Sequence, residues 1–211
     1  MGSPTPDSQC SGQRPVVAFD FDGTLTVMDS FNAFLAWRAG PWRGVGGLFR
    51  LLPAVATYAV IRDRGRLKAA AAKVFLAGLT DAALADLAEA FAQKRFNSLL
   101  RPDALDTWRA WKDKGAVMTI VSATPEGVIA PFARRLGADV LIATRLALDA
   151  QGHITGALNG ANCRGPEKTQ RLQAQFGTGL VLEAAYGDTA GDREMLQMAK
   201  VRGYRVFKGR P

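Results

Sequence analysis

The chain is poor in the residues from which disulfide frameworks and histidine metal sites are built. Its 211 residues include two cysteines and one histidine. Cys10 and Cys163 lack a metal-binding spacing, and so small a number favours a reduced, cytoplasmic protein over a disulfide-stabilised one. The single histidine, His153, is expected at the surface of a hairpin and not in catalysis.

Long apolar segments are also lacking. Residues 1–14 are rich in Ser, Pro, Gly and Gln without the apolar core of a secretory signal peptide, so we expect a flexible leader. The most apolar window, Val45 to Ile61, contains Arg50 and Pro53 and is shorter than the roughly 20 residues of a spanning helix. Its helical spacing favours packing inside a helical subdomain; lying in the membrane interface is the alternative.

Clustered positive charge is the third absence. The formal net charge is +8, but the basic residues are dispersed, and the tightest group is Arg62, Arg64, Arg66 and Lys68. Without a long Lys/Arg block or a DNA-reading motif, no nucleic-acid partner is expected. A solvated charged surface explains most of these residues, and peripheral contact with an anionic membrane is the alternative.

What the chain does contain is an alternation of strand and helix signals. We predict a first strand at Val16–Asp20, helices at 103–114, 127–136, 168–176 and 192–199, strands at 116–121, 140–143, 180–186 and 204–207, and a hairpin of 146–148 with 153–156. Such alternation predicts an α/β fold with a doubly wound, Rossmann-like parallel sheet.

The region after the first strand has a different character. Residues 28–100 are rich in Ala, Leu, Arg and aromatics and carry few strand signals. Asp29 or Ser30 can cap one helix, and Thr80 can begin another. We therefore expect an all-helical cap over 28–100, inserted into an α/β core formed by 15–27 and 101–211.

Two carboxylates lie directly after the apolar run Val16–Phe19 of the first predicted strand, in the segment Asp20–Thr24, which reads D-F-D-G-T. Side chains alternate along a strand, so Asp20 and Asp22 point to one side. Gly23 permits a sharp turn directly after them. Two carboxylates at the end of a buried strand are costly unless a divalent cation compensates their charge, so this segment is a candidate catalytic site.

Other predicted elements carry polar residues to the same edge. Ser122 and Thr124 follow the strand at 116–121, and Asp188 and Asp192 follow the strand at 180–186. Lys168 lies at a helix start. Ligands of open α/β sheets bind beyond the carboxyl ends of the strands. Each residue alone could be a turn, cap or surface residue, but metal-assisted phosphoryl transfer requires these types together.

Taken in their order along the chain, these polar segments resemble the four motifs of the haloacid dehalogenase superfamily of phosphohydrolases. The first motif, D-x-D-G-T, corresponds to Asp20–Thr24, and the second, a hydroxyl residue after an apolar strand, to Ser122. The third is Lys168, and the fourth, G-D-x-x-x-D, is the segment 187–192. The resemblance spans nearly the whole chain.

The resemblance implies a role for each residue. Asp20 would attack phosphorus and form an aspartyl phosphate, and Asp22 would act as general acid and then general base. Mg²⁺ would be held by Asp20, the Asp22 carbonyl, Asp188 and Asp192, the last directly or through water. Lys168 and Ser122 would contact the phosphate group. The implied substrate-binding set comprises Gly23, Thr24, Asp29, Ser122, Ala123, Thr124 and Lys168.

The helical insertion resembles the cap of phosphoserine phosphatase-like members, subfamily IB, with two departures. Asp29 stands where those enzymes carry glutamate, and Gly191 stands where they carry asparagine. A closer resemblance is to a bacterial subgroup that includes phosphatidylglycerophosphatase C-like proteins, through residues 28–31, the apolar cap and the third motif G-P-E-K. It implies a phospholipid substrate at the inner face of the membrane; a small-metabolite phosphatase or a phosphotransferase are the alternatives. The sequence carries no signal for an oligomeric state.

Overall fold

The computed structural model describes residues 14–39 and 64–211, and for residues 64–69 it describes the backbone alone. The leader, the apolar window at 45–61 and the side chains of the basic group from Arg62 to Lys68 lie outside this description, so the predictions about them stay predictions. Among the described helices, none is both long enough and apolar enough to cross a membrane.

A five-stranded parallel sheet forms the centre of the molecule. Its strands are β1 (Val16–Phe19), β2 (Val117–Pro125), β3 (Val140–Thr144), β6 (Leu182–Gly187) and β7 (Ala199–Tyr204), in the order β3-β2-β1-β6-β7. β4 (Leu146–Leu148) and β5 (Ile154–Leu158) form a separate antiparallel hairpin. Val17 on β1 pairs with Met118 on β2 and Ala184 on β6, so β1 is central and buried. The predicted Rossmann-like fold is confirmed.

Helices cover the sheet and follow its strands. They are α1 (residues 30–39), α2 (Arg64–Leu76), α3 (Asp81–Leu99), α4 (Pro102–Asp113), α5 (Glu126–Leu136), α6 (Pro166–Phe176) and α7 (Arg193–Gln197). The helix predicted to begin at Thr80 is α3, and Thr80 caps it, since the Thr80 side chain accepts a hydrogen bond from the Ala83 amide. The described part of the predicted cap, comprising α1 to α3, is helical.

The prediction for the last strand was wrong. It placed a strand at 204–207 after a helix over 192–199, whereas α7 ends at Gln197 and β7 already runs over Ala199–Tyr204. β7 lies at the edge of the sheet and exposes Lys200 and Arg202, so it lacks the apolar pattern of a buried strand. Arg205, at a φ of 53°, ends it.

An aromatic cluster joins α1 and α3 of the predicted cap to α5 and to the turn after β1. Phe34 of α1 packs against Phe91 of α3 with ring centroids 5.4 Å apart. Phe91 in turn packs against Phe132 of α5 at 5.8 Å, and Phe132 packs against Phe21, which directly follows Asp20, at 5.6 Å. Phe21 is fully buried, so the apolar residue between the two acids anchors the turn that carries them.

Candidate active site

A cleft of about 210 Å³ lies beyond the carboxyl ends of β1, β2 and β6. Nine residues from the sequence prediction line it: Asp20, Asp22, Gly23, Asp29, Ser122, Ala123, Lys168, Asp188 and Asp192. Thr24 and Thr124 are buried and lie behind this lining. The tertiary structure therefore brings together residues up to 172 positions apart in the chain, as expected for the switch-point edge of a parallel sheet.

Lys168 is the buried cation of the cleft, with only 2% of its surface exposed. Its Nζ donates to Asp20 Oδ1 at 2.6 Å, to Asp192 Oδ1 at 2.7 Å and to the Val121 carbonyl at 2.6 Å. An ammonium group has three N–H donors, so all three are engaged by the protein. Burial alone would lower the pKa of Lys168, but the two carboxylates outweigh it and hold that pKa above its ordinary value.

Asp20 lies at the end of β1 and is almost fully buried. Burial raises the pKa of Asp20 to about 7; Lys168 opposes this shift, whereas Asp192 and Asp22 add to it. The negative charge of the Asp20 carboxylate is therefore only partly compensated by Lys168. A further cation at this position would favour its ionised form.

Asp188 and Asp192 differ in how well their charges are compensated. Asp192 Oδ2 accepts from the Thr189 amide at 2.8 Å and the Thr189 hydroxyl at 2.9 Å, while Oδ1 receives Lys168. Burial works against ionisation, but Lys168 and these bonds leave the pKa of Asp192 below its usual range. The pKa of Asp188 is raised by burial and by the charge of Asp192. The Thr24 hydroxyl donates a long hydrogen bond of 3.4 Å to Asp188 Oδ1, which opposes this shift.

Three of the acids lie close enough together to hold a divalent cation. One carboxylate oxygen from each of Asp20, Asp188 and Asp192 lies within 4.8 Å of the others. Oxygen ligands of this kind suit Mg²⁺, and the raised pKa values of Asp20 and Asp188 indicate negative charge that a cation would neutralise. These three residues fit a metal ion, and the side chain of Asp22 is not part of the group.

Asp22 is held on both of its carboxylate oxygens. Oδ1 accepts from the Ser30 amide at 2.7 Å, and Oδ2 accepts from the Thr124 hydroxyl. Ser30 is the first helical residue of α1. Asp29 caps the same helix by accepting from the Asn32 amide at 2.8 Å. The two carboxylates therefore fix the start of α1 against the cleft.

Two glycines allow the acids to approach the backbone. Gly23 has a φ of +81°, and a Cβ there would lie 2.3 Å from Asp188 Oδ2. A Cβ at Gly187 would lie 2.5 Å from Asp192 Cβ. Both positions exclude a larger residue because the side chains of Asp188 and Asp192 occupy the space.

Three residues that line the cleft were missed by the sequence reading: Asn162, Arg164 and Thr189. Thr189 lies inside the fourth motif, and the other two lie on the loop before Lys168. Only their proximity in sequence to the motif residues could have indicated a place in the cleft. Residues in loops have no hydrophobic periodicity from which the direction of a side chain can be predicted.

The cysteine and histidine predictions can be compared with the described residues. Cys163 is a free, buried thiol, and burial raises its pKa to about 11, so it is not an activated nucleophile. The side chain of His153 is 41% exposed and lies 3.5 Å from Asp149 in the hairpin, a surface position as predicted. Cys10 lies outside the described residues.

Comparison with known proteins identifies the family of this chain and two relatives. Residues 17–197 match the family of haloacid dehalogenase-like hydrolases. Protein CicA of Caulobacter vibrioides is 57% identical over 201 residues, which cover 95% of this chain and 90% of that protein. A phosphoserine phosphatase of Halobacterium salinarum is 31% identical over 190 residues, which cover 87% of this chain and 82% of that enzyme.

Solved structures share the fold. A Bordetella pertussis Tohama I protein aligns with a TM-score of 0.70 and 23% identity, over 88% of this chain and 86% of that one. A phosphoserine phosphatase structure described as a phospho-aspartyl intermediate analogue aligns with a TM-score of 0.62 and 20% identity, over 90% and 85% of the two chains. At sequence identities of 23% and 20%, these alignments show a shared fold.

Proposed function

The chain belongs to the haloacid dehalogenase-like hydrolases, and from that premise we propose that it is a Mg²⁺-dependent phosphomonoesterase acting through an aspartyl phosphate. It is an enzyme of the phosphatase type within this family. One observation carries the proposed mechanism: Asp20 ends the central strand beside Lys168 and within the group of three metal-site carboxylates.

Asp20 is the nucleophile in this proposal. Its carboxylate oxygen forms a bond to phosphorus as the bond from phosphorus to the leaving oxygen breaks, and the leaving alcohol takes a proton from Asp22. Bound Mg²⁺ would neutralise charge on the phosphoryl oxygens and on Asp20. Lys168 keeps the Asp20 carboxylate oriented, and the Ser122 hydroxyl lies in the cleft as a donor for a phosphoryl oxygen.

The second half-reaction uses Asp22 as the base. Asp22 takes a proton from water, the water oxygen bonds to phosphorus, and the bond from phosphorus to Asp20 breaks to release inorganic phosphate. The hydroxyl of Thr124, which contacts Asp22 Oδ2, can donate to the carboxylate or accept from the carboxylic acid. Thr124 can therefore hold Asp22 in place in both protonation states.

Replacement of the nucleophile tests this proposal. We expect Asp20→Asn to lower the turnover of an aryl phosphate in Mg²⁺ by about 1,000-fold or more, because the amide cannot form the acyl phosphate. The matched control is Asp106→Asn, which removes an acid 74% exposed on α4 and should leave turnover unchanged. Substantial turnover by a folded Asp20→Asn variant would contradict the mechanism.

The proposed substrate is the head-group phosphate of a phospholipid at the inner face of the membrane. The apolar segment at 45–61, with its neighbouring arginines, supports an amphiphilic substrate. The 31% identity to a phosphoserine phosphatase supports the second candidate, a phosphatase of small metabolites. Release of phosphate from phosphatidylglycerophosphate micelles, phosphoserine and glycerol phosphates distinguishes the two, and activity confined to soluble esters would contradict the lipid proposal.

Hydrolysis also has to be distinguished from phosphoryl transfer to an alcohol. Both reactions pass through the same aspartyl phosphate and differ only in the acceptor that Asp22 deprotonates. Product analysis with added glycerol separates them. A hydrolase releases inorganic phosphate with little glycerol phosphate, and a phosphotransferase gives the reverse.

A further inference from the structure

Arg164 is a cation at the edge of the proposed catalytic cleft that has no partner among the described residues. It lines the cleft together with five carboxylates and Lys168. Within residues 14–39 and 64–211, its guanidinium makes neither a hydrogen bond nor an ion pair. A guanidinium carries five N–H donors in a planar fork suited to carboxylate or phosphate oxygens.

Lys168, which is the other cation among the described residues that line the cleft, has no free donor in this arrangement. All three N–H groups of Lys168 are engaged, by Asp20, Asp192 and the Val121 carbonyl. Asn162, which also lines the cleft, accepts on Oδ1 from the Thr144 hydroxyl at 3.0 Å, and its amide nitrogen has no partner in the described part of the chain. Arg164 and Asn162 thus offer adjacent donors for an incoming anion.

The loop that carries these donors is held in place on two sides. The Thr144 hydroxyl at the end of β3 accepts from the Cys163 amide at 3.0 Å as well as donating to Asn162. On the other side, the Gly165 amide donates to the Gly191 carbonyl at 2.9 Å. The donors therefore belong to a constrained loop, which lowers the entropy lost when they bind a ligand.

Gly191 provides the room for the Arg164 side chain. A Cβ at this position would lie 2.7 Å from Arg164 Cγ and 2.8 Å from Arg164 Cζ, too close for either atom to stay. The arginine stem therefore lies directly over the backbone of Gly191. Any larger residue at 191 would displace the guanidinium from its present position.

We propose that Arg164 and Asn162 form an anion-binding subsite that selects substrates with a second negatively charged group beside the ester phosphate. The inference rests on the proposed phosphatase function. The transferred phosphoryl group would have partners of its own in the Ser122 hydroxyl and in a metal ion held by the acids Asp20, Asp188 and Asp192. Arg164 lies on a different loop from these groups. Its guanidinium is therefore available to bind a carboxylate or phosphodiester on the leaving group.

Binding of two matched phosphonates in Mg²⁺ tests the subsite by calorimetry. The probes are propylphosphonate, with one anionic group, and 3-phosphonopropionate, with a carboxylate in addition. We expect Arg164→Gln to weaken binding of 3-phosphonopropionate by about tenfold or more, and of propylphosphonate by less than about twofold, since one charge-assisted contact is lost. Arg109→Gln, on an arginine outside the cleft that pairs with Asp106, is the matched control and should change neither value.

A second variant tests the packing with Arg164 intact. Gly191→Ala should reproduce the selective weakening, and combining it with Arg164→Gln should add little, because both remove the same contact. Equal weakening for both phosphonates would overturn the subsite and assign Arg164 to the phosphoryl group. Absence of aryl phosphate turnover by the wild-type protein would instead overturn the proposed function itself, and this inference with it.

Discussion

Asp22 links the chemistry of the cleft to the start of α1 through its two carboxylate oxygens. Thr124 at the end of β2 and the Ser30 amide of α1 bind opposite oxygens of the same side chain. The Asp22 side chain therefore joins β2 to α1. At the residue scale, the site consists of side chains that each contact two other elements. Glycine is required at positions 23 and 187, where the side chains of Asp188 and Asp192 lie against the backbone.

Gly23→Ala tests one of these close approaches. Gly23 and Gly78 both have positive φ, +81° and +83°, but only at Gly23 would a Cβ reach Asp188, at 2.3 Å. We expect both alanine variants to lose about 1–2 kcal/mol of stability from backbone strain. Only Gly23→Ala should also raise the Mg²⁺ concentration needed for half-maximal activity, by about tenfold if one metal contact is weakened.

Titration of activity with Mg²⁺ for the two variants is the measurement. Gly78→Ala is the control because nothing lies within 4 Å of its added Cβ. An equal Mg²⁺ requirement in the two variants would mean that Asp188 is not a metal ligand, or that it moves away without cost.

At the scale of elements, the described helices of the predicted cap pack against the rest of the chain at α3 and at α2. α3 contacts α5 through the pair Phe91 and Phe132, and α2 lies against β5 of the hairpin. At the second contact, Gly156 faces Lys73, and a Cβ there would lie 2.4 Å from Lys73 Cα. The hairpin, which contributes nothing to the lining of the cleft, therefore supports a helix of the insertion.

Gly156→Ala should loosen this contact. The clash is with backbone, so it cannot be relieved by a rotamer change, and we expect a loss of about 2–4 kcal/mol in the free energy of unfolding from strain and overpacking together. Gly160→Ala is the matched control, with a φ of +86° against +87° and open space around its Cβ. Its expected loss is about 1 kcal/mol, from backbone strain alone.

Urea unfolding of the two variants provides the comparison. If both lose the same stability, the contact between α2 and β5 does not constrain the fold, and the hairpin packs loosely against the insertion.

At the scale of the whole molecule, the buried acids make folding depend on pH and on metal. The folded pKa of Asp20, about 7, lies above its ordinary value of 3.8. The folded protein therefore binds more protons than the unfolded chain between about pH 4 and pH 7, and metal-free stability falls as the pH rises through this window. Mg²⁺ requires the ionised carboxylates, so its stabilising effect should grow over the same window.

Thermal unfolding with and without Mg²⁺ tests this dependence. At pH 8 and about 100 times its Kd, Mg²⁺ should add about 2.7 kcal/mol, or about 5–10 °C in Tm for a chain of this size. At pH 5.5 we expect less than about half of that shift, because protons compete for Asp20. Sodium chloride at equal ionic strength is the control, since the net charge of +8 responds to screening. A shift that salt reproduces, or that is equal at both pH values, would contradict metal binding by these acids.

Much of this arrangement was predictable from the chain alone. The apolar run before Asp20 and the turn at Gly23 predict a strand that delivers two acids to one edge, because side-chain alternation and glycine geometry are local properties. The edge strand β7 was misplaced, since an exposed strand with Lys200 and Arg202 has no apolar period to reveal it. Local patterns therefore predicted the buried elements better than the exposed ones.

The sequence by itself determined the candidate acids, hydroxyl and lysine of the site, and the order along the chain of the strands and helices that carry them. Only the tertiary structure decided how their charges are shared. It engages every donor of Lys168, leaves Arg164 without a partner among the described residues, and places Gly191 beneath the arginine. These contacts join separate loops and strands, and hydrogen-bond satisfaction between distant segments is fixed by packing, which no local pattern of residues encodes.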